Sequence, residues 1–252
     1  MIQAILRNKI KSEVRNYFKT KEDTLTSSVI GNLLFLPTNF ILEILANSSY
    51  DKFTYSHFGK LLSFDFWPHW NSENTSNSNF VEPDVFIRFE NVDLIIEAKR
   101  YDDNQQYIGQ WKNEIISYYN EYEDEKKDLI LLAIGGINSN NTEHISTESE
   151  QKVEIYKIRW KKILNEVENA KKRLEAIKSF SDNANSSIRI LEVVLQSFEL
   201  HGFLSIKWFK DINRKIINNS KIINQWVTNK NYFFNTKTVN QIENKSIKLW
   251  KI

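Results

Sequence analysis

The amino-acid sequence predicts a mixed α/β fold, a central sheet flanked by helices. Two apolar strands follow each other closely at residues 81–89 and 92–99, and a helix-like stretch from about 105 to 123 comes directly after them. The run LILLAIGG (129–136) reads as a buried strand, and 153–158 as another that leads into a helix over 160–177. Strands that alternate with helices in this order call for a sheet covered by helices.

The elements around this centre follow from local pattern. Residues 1 to about 47 are helical by periodicity, and Thr20-Lys21-Glu22-Asp23 has the form of a capping box opening a helix that Pro37 closes. Around 58–67 the residues Phe58, Leu62, Phe64 and Phe66 mostly alternate, as in a strand, and NSENTSNSN (71–79) is a polar loop expected to be mobile. After the polar break SDNANSS (181–187), the stretch IRILEVVLQSFELHGF reads as a helix with Gly202 as its C′ residue. Residues 1–201 are therefore expected to form the main domain, and 202–252 a basic, aromatic-rich extension.

Composition narrows the chemistry. There is no cysteine, so disulfides and thiolate zinc sites are excluded, and His57, His69, His144 and His201 lack ligand-like spacing. Any metal must be held by oxygen. The first residues read as a charged amphipathic helix rather than a signal peptide, and no apolar run approaches the ~20 residues of a membrane span, so a cytoplasmic protein without a membrane partner is expected. The net charge of +2 hides an asymmetry. Residues 1–150 hold 14 Lys+Arg against 23 Asp+Glu, whereas 151–252 hold 20 against 9. Such a division suits carboxylates for metal in one region and cations for a polyanion in the other, although helix faces of unequal sign would give the same count. Within 202–252 cations interleave with Trp208, Trp226 and Trp250, residues that serve either base stacking or packing. Gly135-Gly136 reads as a turn, and no G-x-x-x-x-G-K-[ST] loop is present, so any ATPase must be a separate partner chain.

The chemistry concentrates in EPDVFIRFENVDLIIEAKR (82–100), read as two antiparallel strands joined at Glu90-Asn91. This loop sets Val85 opposite Ile96, Ile87 opposite Leu94 and Phe89 opposite Val92 on an apolar face. On the other face Arg88 lies opposite Asp93, Phe86 opposite Ile95, Asp84 opposite Glu97 and Glu82 opposite Lys99. An Asp and a Glu side by side make a divalent-cation site beside a lysine. Asp84 and Glu97 would hold the metal, the Ala98 carbonyl would add a backbone oxygen, and Lys99 would orient or deprotonate an attacking water. Glu82 would be the counter-ion of Lys99 or a further metal contact. Phosphodiester hydrolysis needs these three functions, whereas a salt-bridged strand end is the bland alternative.

Pro83-Asp84, a gap, and then Glu97-Ala98-Lys99 at the end of an apolar strand resembles the signature of the PD-(D/E)XK, or restriction-endonuclease-like, nuclease superfamily. The resemblance implies a core of helix, three strands, helix and strand, with Mg²⁺ as cofactor, replaceable by Mn²⁺. It also implies a metal-approaching glutamate on the first core helix, for which Glu22 fits best, with Asp23 and Glu43 as rivals. A glutamine on the helix after the lysine strand is implied as well; Gln110 fits best, with Gln105 and Gln106 as substitutes. The tyrosine that often follows four residues later is replaced by Glu114. The resemblance thus implies a DNA endonuclease, and the helix ending in His201-Gly202-Phe203 resembles the tail of bacterial members found with defence or mobile-element systems, which implies that setting, with a partner protein or a homo-oligomer as an open expectation. The rival is a catalytically silent nuclease-fold subunit that binds nucleic acid or assembles a larger complex.

Overall fold

The computed structural model describes residues 21–101, 103–122, 127–146, 152–177 and 182–204, with a few isolated positions among the first twenty. The fold is mixed α/β. In chain order the described elements are α1 (Glu22–Leu33), α2 (Thr38–Ser48), β1 (Leu61–Phe66), β2 (Trp70–Asn71), β3 (Phe80–Val81), β4 (Val85–Phe89) and β5 (Val92–Ala98), then α3 (Ile108–Tyr122), β6 (Asp128–Ile134), β7 (Glu143–Ser146), β8 (Lys152–Ile158), α4 (Trp160–Ile177) and α5 (Asp182–Leu200). Six strands form one sheet in the order β1-β4-β5-β6-β8-β7, in which β5-β6 and β6-β8 are parallel and the other pairs antiparallel.

The hairpin register is the one expected, with Val85 opposite Ile96, Phe86 opposite Ile95, Ile87 opposite Leu94 and Arg88 opposite Asp93. Both of its faces are buried. Val85, Ile87, Phe89, Leu94 and Ile96 pack with Leu132, Ile134 and Ile158 under helices α1, α2, α4 and α5, through residues such as Leu33, Leu42, Trp160 and Phe198. On the opposite face Phe86, Ile95, Leu131 and Ile155 meet Trp111, Ile115 and Tyr118 of α3. Parallel strands demand this double cover, because the β5–α3–β6 crossover lays α3 against the sheet.

Several expectations need correction. The strand drawn over 81–89 is broken: Phe80–Val81 pairs with Trp70–Asn71 in a separate ribbon, and β4 begins only at Val85. Pro83 lies in the gap and has no N–H to give a ladder. The helix expected to run to Pro37 ends at Leu33, and Pro37 becomes the N-cap of α2. Lys21, not Thr20, caps α1, and it does so without a side-chain hydrogen bond; Thr20 lies outside the described residues. The polar stretch 182–187 is the opening of α5 and not a break. β1 starts at Leu61, so Phe58 lies outside it, in the core. Strand β7 escaped the pattern because it is short, at the sheet edge, and alternates around a single buried residue, Ile145.

The loop over 71–79 is held down. Ser117 Oγ and Asn120 Nδ2 donate to the Asn71 carbonyl, Asn120 Nδ2 also donates to that of Glu73, and the Asn71 N–H donates to Glu121. Asn113 closes the far end: its amide donates to Ser76 Oγ and Asn77 Oδ1, and its oxygen accepts the Ser76 N–H. Polar side chains of α3 thus satisfy backbone groups of the loop. Of the expected C-terminal extension, Phe203 still packs against Phe198, and residues 205–252 lie outside the described residues.

The turn end of the hairpin carries a buried charge cluster. Asp93 Oδ2 accepts from Arg88 Nε at 3.3 Å and from the Tyr118 hydroxyl at 3.1 Å, and Lys127 Nζ lies 3.5 Å from Oδ1. Burial raises the Asp93 pKa against the pull of Arg88 and Lys127. Removing one partner of a buried pair strands the others, so Asp93→Ala is expected to lower stability by about 3 kcal/mol in urea unfolding at pH 7, and Asp93→Asn by less.

Candidate active site

The end of β5 is where the expected residues meet. Glu97 faces α3, next to the small Ala133 of β6. Lys99 follows the strand directly: its N–H donates to the Ile134 carbonyl at 2.7 Å, and its carbonyl accepts from Trp160 Nε1 at 2.8 Å. This closure needs Gly135, whose φ is +68° and where a Cβ would stand 2.1 Å from the Lys99 oxygen. The glycine pair brings backbone, not a phosphate, to the strand end.

The Lys99 ammonium hydrogen-bonds Glu97 Oε1 and lies 3.7 Å from Glu22 Oε1. Glu22 opens α1, and its other oxygen accepts the Arg100 N–H at 2.7 Å. Gln110 Nε2 donates to Glu97 Oε1 at 2.7 Å. Asp84 stands in the gap before β4; its Oδ2 accepts the Ala98 N–H at 2.8 Å, and its Oδ1 meets Trp67 Nε1 at 3.3 Å. Trp67 holds a left-handed backbone with φ +53°, and its N–H donates to the Asp84 carbonyl. A left-handed tryptophan costs on the order of 1 kcal/mol, which the two bonds to Asp84 offset.

Among the rival residues the structure brings in Glu22 and leaves Asp23 exposed, while Glu43 pairs with Arg173. Gln110 reaches the carboxylate of Glu97. Gln106 binds the Glu97 carbonyl and Trp111 Nε1 instead, and Gln105 accepts the Tyr101 N–H, so both serve the loop. Ala98 is buried and contributes its N–H to Asp84. Glu82 needs correction. It pairs with His69 at 2.7 Å, because the break at Pro83 turns it away from the β5 register, and Lys99 takes Glu97 and Glu22 as counter-ions.

Glu114 is the residue that the sequence reading passed over. It lies on α3 one turn after Gln110, is 1% exposed, and meets no N–H or hydroxyl donor of another described residue, its carboxyl lying in hydrogen-bond contact with that of Glu97. Its signal was present: Trp111, Ile115 and Tyr118 make an apolar helical stripe, and position 114 falls within it. A carboxylate in a core stripe is anomalous unless it serves a site.

Burial followed by the charge of Glu97 pushes the Asp84 pKa up to about 8, against the Ala98 N–H. Burial also raises Glu97, opposed by Lys99, and raises Glu114 strongly, with Glu97 adding repulsion. For Lys99, burial pulls downward, but the carboxylates of Glu97, Glu22 and Asp84 outweigh it and the pKa rises. The centre thus collects desolvated carboxyls that resist ionisation, a condition that a cation relieves. Among the described residues no three His, Asp or Glu side chains form a metal cage. Mg²⁺ needs none, since it commonly keeps several waters and takes one or two carboxylates. In donor chemistry, Asp84 and Glu97 therefore fit such an ion. Among the described residues no helix is long and apolar enough to cross a membrane.

No family model matches the chain. It is similar to the uncharacterized protein PM0110 of Pasteurella multocida (strain Pm70), with 32% identity over 212 residues, covering 78% of this chain and 76% of that protein. Among solved structures, it aligns with a chain of the Thermococcus gammatolerans complex of McrB AAA+ hexamers with bound McrC, at 10% identity and a TM-score of 0.27. That alignment covers 62% of this chain and a third (33%) of the other, and the likeness is too slight to carry an argument.

The raised Asp84 pKa has a stability consequence. Its folded value, about 8, exceeds the usual 3.8, so the contribution is fully present below the unfolded value and lost as pH rises through about 8. In EDTA, the melting temperature of the wild type is expected to fall between pH 6 and pH 8.5. Asp84→Asn should remove part of that fall and melt several degrees higher at pH 8.5; an unchanged pH profile in the variant would contradict the assignment.

Proposed function

We propose that this chain, which belongs to one family with the Pasteurella multocida protein PM0110, is a Mg²⁺-dependent nuclease, active also with Mn²⁺, that hydrolyses phosphodiester bonds in DNA. The observation that carries this reading is the convergence of Asp84, Glu97 and Lys99 at the end of β5, with Gln110 on Glu97 and Glu22 on Lys99. The order α1, β1, β4, β5, α3, β6, with α2 and the β2–β3 ribbon inserted, supports it, since it contains the helix, three strands, helix and strand that the sequence resemblance implies.

Asp84 and Glu97, with the Ala98 carbonyl as a further oxygen donor, would hold the ion, whose chemistry is Lewis-acid polarisation of a phosphoryl oxygen and activation of water, while Glu22 acts beside them through Lys99. Gln110 holds Glu97 in orientation through its amide, and Trp67 does the same for Asp84. With its pKa raised, Lys99 stays an ammonium at neutral pH. Its part is therefore to orient the attacking water and offset the charge growing on phosphate, and not to take the proton. Glu22 keeps that ammonium near the strand end while fixing the backbone of Arg100.

Plasmid and linear DNA incubated with the purified chain and Mg²⁺ or Mn²⁺ test this reading. Asp84→Ala and Lys99→Ala are each expected to slow cleavage by about 100-fold or more; cleavage equal to wild type would overturn the assignment. Independently of turnover, Mn²⁺ should raise the melting temperature of the wild type, and Glu97→Ala should abolish the shift. Absence of any shift with the wild type would sink the metal site.

A further inference from the structure

Beside the carboxylates, between α3 and the pinned loop over 71–79, lies a cavity of about 320 Å³. Its lining includes Asn77, Glu82, Tyr107, Gln110, Asn113 and Glu114. We infer that this cleft receives one unpaired nucleobase, adjoining the phosphate to be cut; the inference rests on the nuclease reading and deepens it.

Glu114 indicates what kind of guest the cleft would take. It is almost fully buried, its carboxyl shares a hydrogen bond with that of Glu97, no N–H or hydroxyl of another described residue reaches its oxygens, and it forms part of the lining. A buried acceptor without a donor is costly to leave unmade. The other lining groups narrow the choice. Among the described residues the lining carries no cation, and Glu82 repels a phosphate, so the cleft is not a seat for the backbone. The amides of Asn77, Gln110 and Asn113 are too polar a wall for an aliphatic guest. A flat ring that offers N–H donors to the remaining carboxyl oxygen, and further edges to amides, satisfies both conditions, as an unpaired nucleobase does. The volume, at the low end of the ~300–1,000 Å³ of small-molecule sites, holds one such unit and not a base pair.

The walls are built before the guest arrives. Asn113 ties down Ser76 and Asn77, and the loop's other end is tied to Ser117, Asn120 and Glu121. Tyr107 lies at the cleft with 69% of its surface exposed, and its ring passes directly over Gly109, where a Cβ would fall 2.3 Å from the ring. An exposed aromatic ring held over a glycine is a ready stacking surface. Gln110 links cleft and reaction centre, since it lines the former and hydrogen-bonds Glu97 in the latter. A base seated here must leave its own pair, so the preferred substrate is single-stranded or locally opened DNA.

Binding of fluorescein-labelled single-stranded oligonucleotides to the full chain in EDTA tests this without turnover. Oligomers of dC, dA or dT are expected to bind about tenfold more tightly than abasic ones, the gain that a stacked base contributes. Contacts made elsewhere through the phosphates add equally to all of them, so the difference isolates the cleft. Tyr107→Ala, at an exposed position, and Gly109→Ala, which displaces the ring, should each erase most of that difference while melting near the wild type. Equal affinity for dC, dT and abasic oligomers, no binding at all, or an undiminished preference in both variants would overturn the proposal. Cleavage of DNA without a Tyr107-dependent base preference would refute the cleft and leave the nuclease reading standing. A Tyr107-dependent preference without cleavage by the wild type would refute the nuclease and keep the cleft.

Discussion

Lys99 and Glu97 form the ion pair around which the candidate site is assembled. A carboxylate buried at the end of a central strand is costly unless a cation answers it, and here the cation comes from two residues further along the same strand end. Each further tie is anchored on that pair. Gln110 brings α3 to Glu97, Glu22 brings α1 to Lys99, and the Arg100 N–H holds the second oxygen of Glu22. Elements distant in the chain are thereby fixed to one another through a few polar contacts in a region of low dielectric, where such contacts are strong when satisfied.

The sheet makes this arrangement affordable. Its two buried faces pack apolar residues from five helices, and the glycine pair after β6 lets the strand ends close against each other. Asp84, Glu97 and Glu114 remain incompletely compensated, with pKa values raised chiefly by burial. Stability sacrificed in this way is common at functional sites, where groups are placed for what they will bind rather than for what they now touch. The Asp93 cluster at the other end of the hairpin is a useful contrast. It too is buried, with its pKa raised by burial, but two cations, Arg88 and Lys127, and the Tyr118 hydroxyl face its single carboxylate, and among the described residues no second carboxyl joins it.

How far the site was legible depended on the range of the forces involved. Asp84, Glu97 and Lys99 sit on two adjoining segments, so alternation and a short turn suffice to bring them near one another. Gln110 was reachable because it opens the next helix. Glu22 was one of three acidic candidates, and only the packing of α1 beside the strand end separates it from Asp23 and Glu43. Glu82 was misassigned for a local reason: the register was extended through Pro83, which cannot join a ladder. Glu114 and Trp67 were passed over because one reads as a departure from a motif and the other as an ordinary aromatic residue in a loop.

Local pattern alone determined the hairpin register, the alternation of strands and helices, and the oxygen-only donor set, because side-chain periodicity and composition are properties of neighbouring residues. Tertiary structure decided the rest. It determined that both sheet faces are covered, that the polar loop over 71–79 is a wall and not a free segment, and that a fully buried Glu114 lines a cleft beside Glu97. These depend on contacts between segments far apart in the chain, and on the desolvation that such contacts impose. No local pattern measures how deeply a carboxylate will be buried, or whether a donor will reach it.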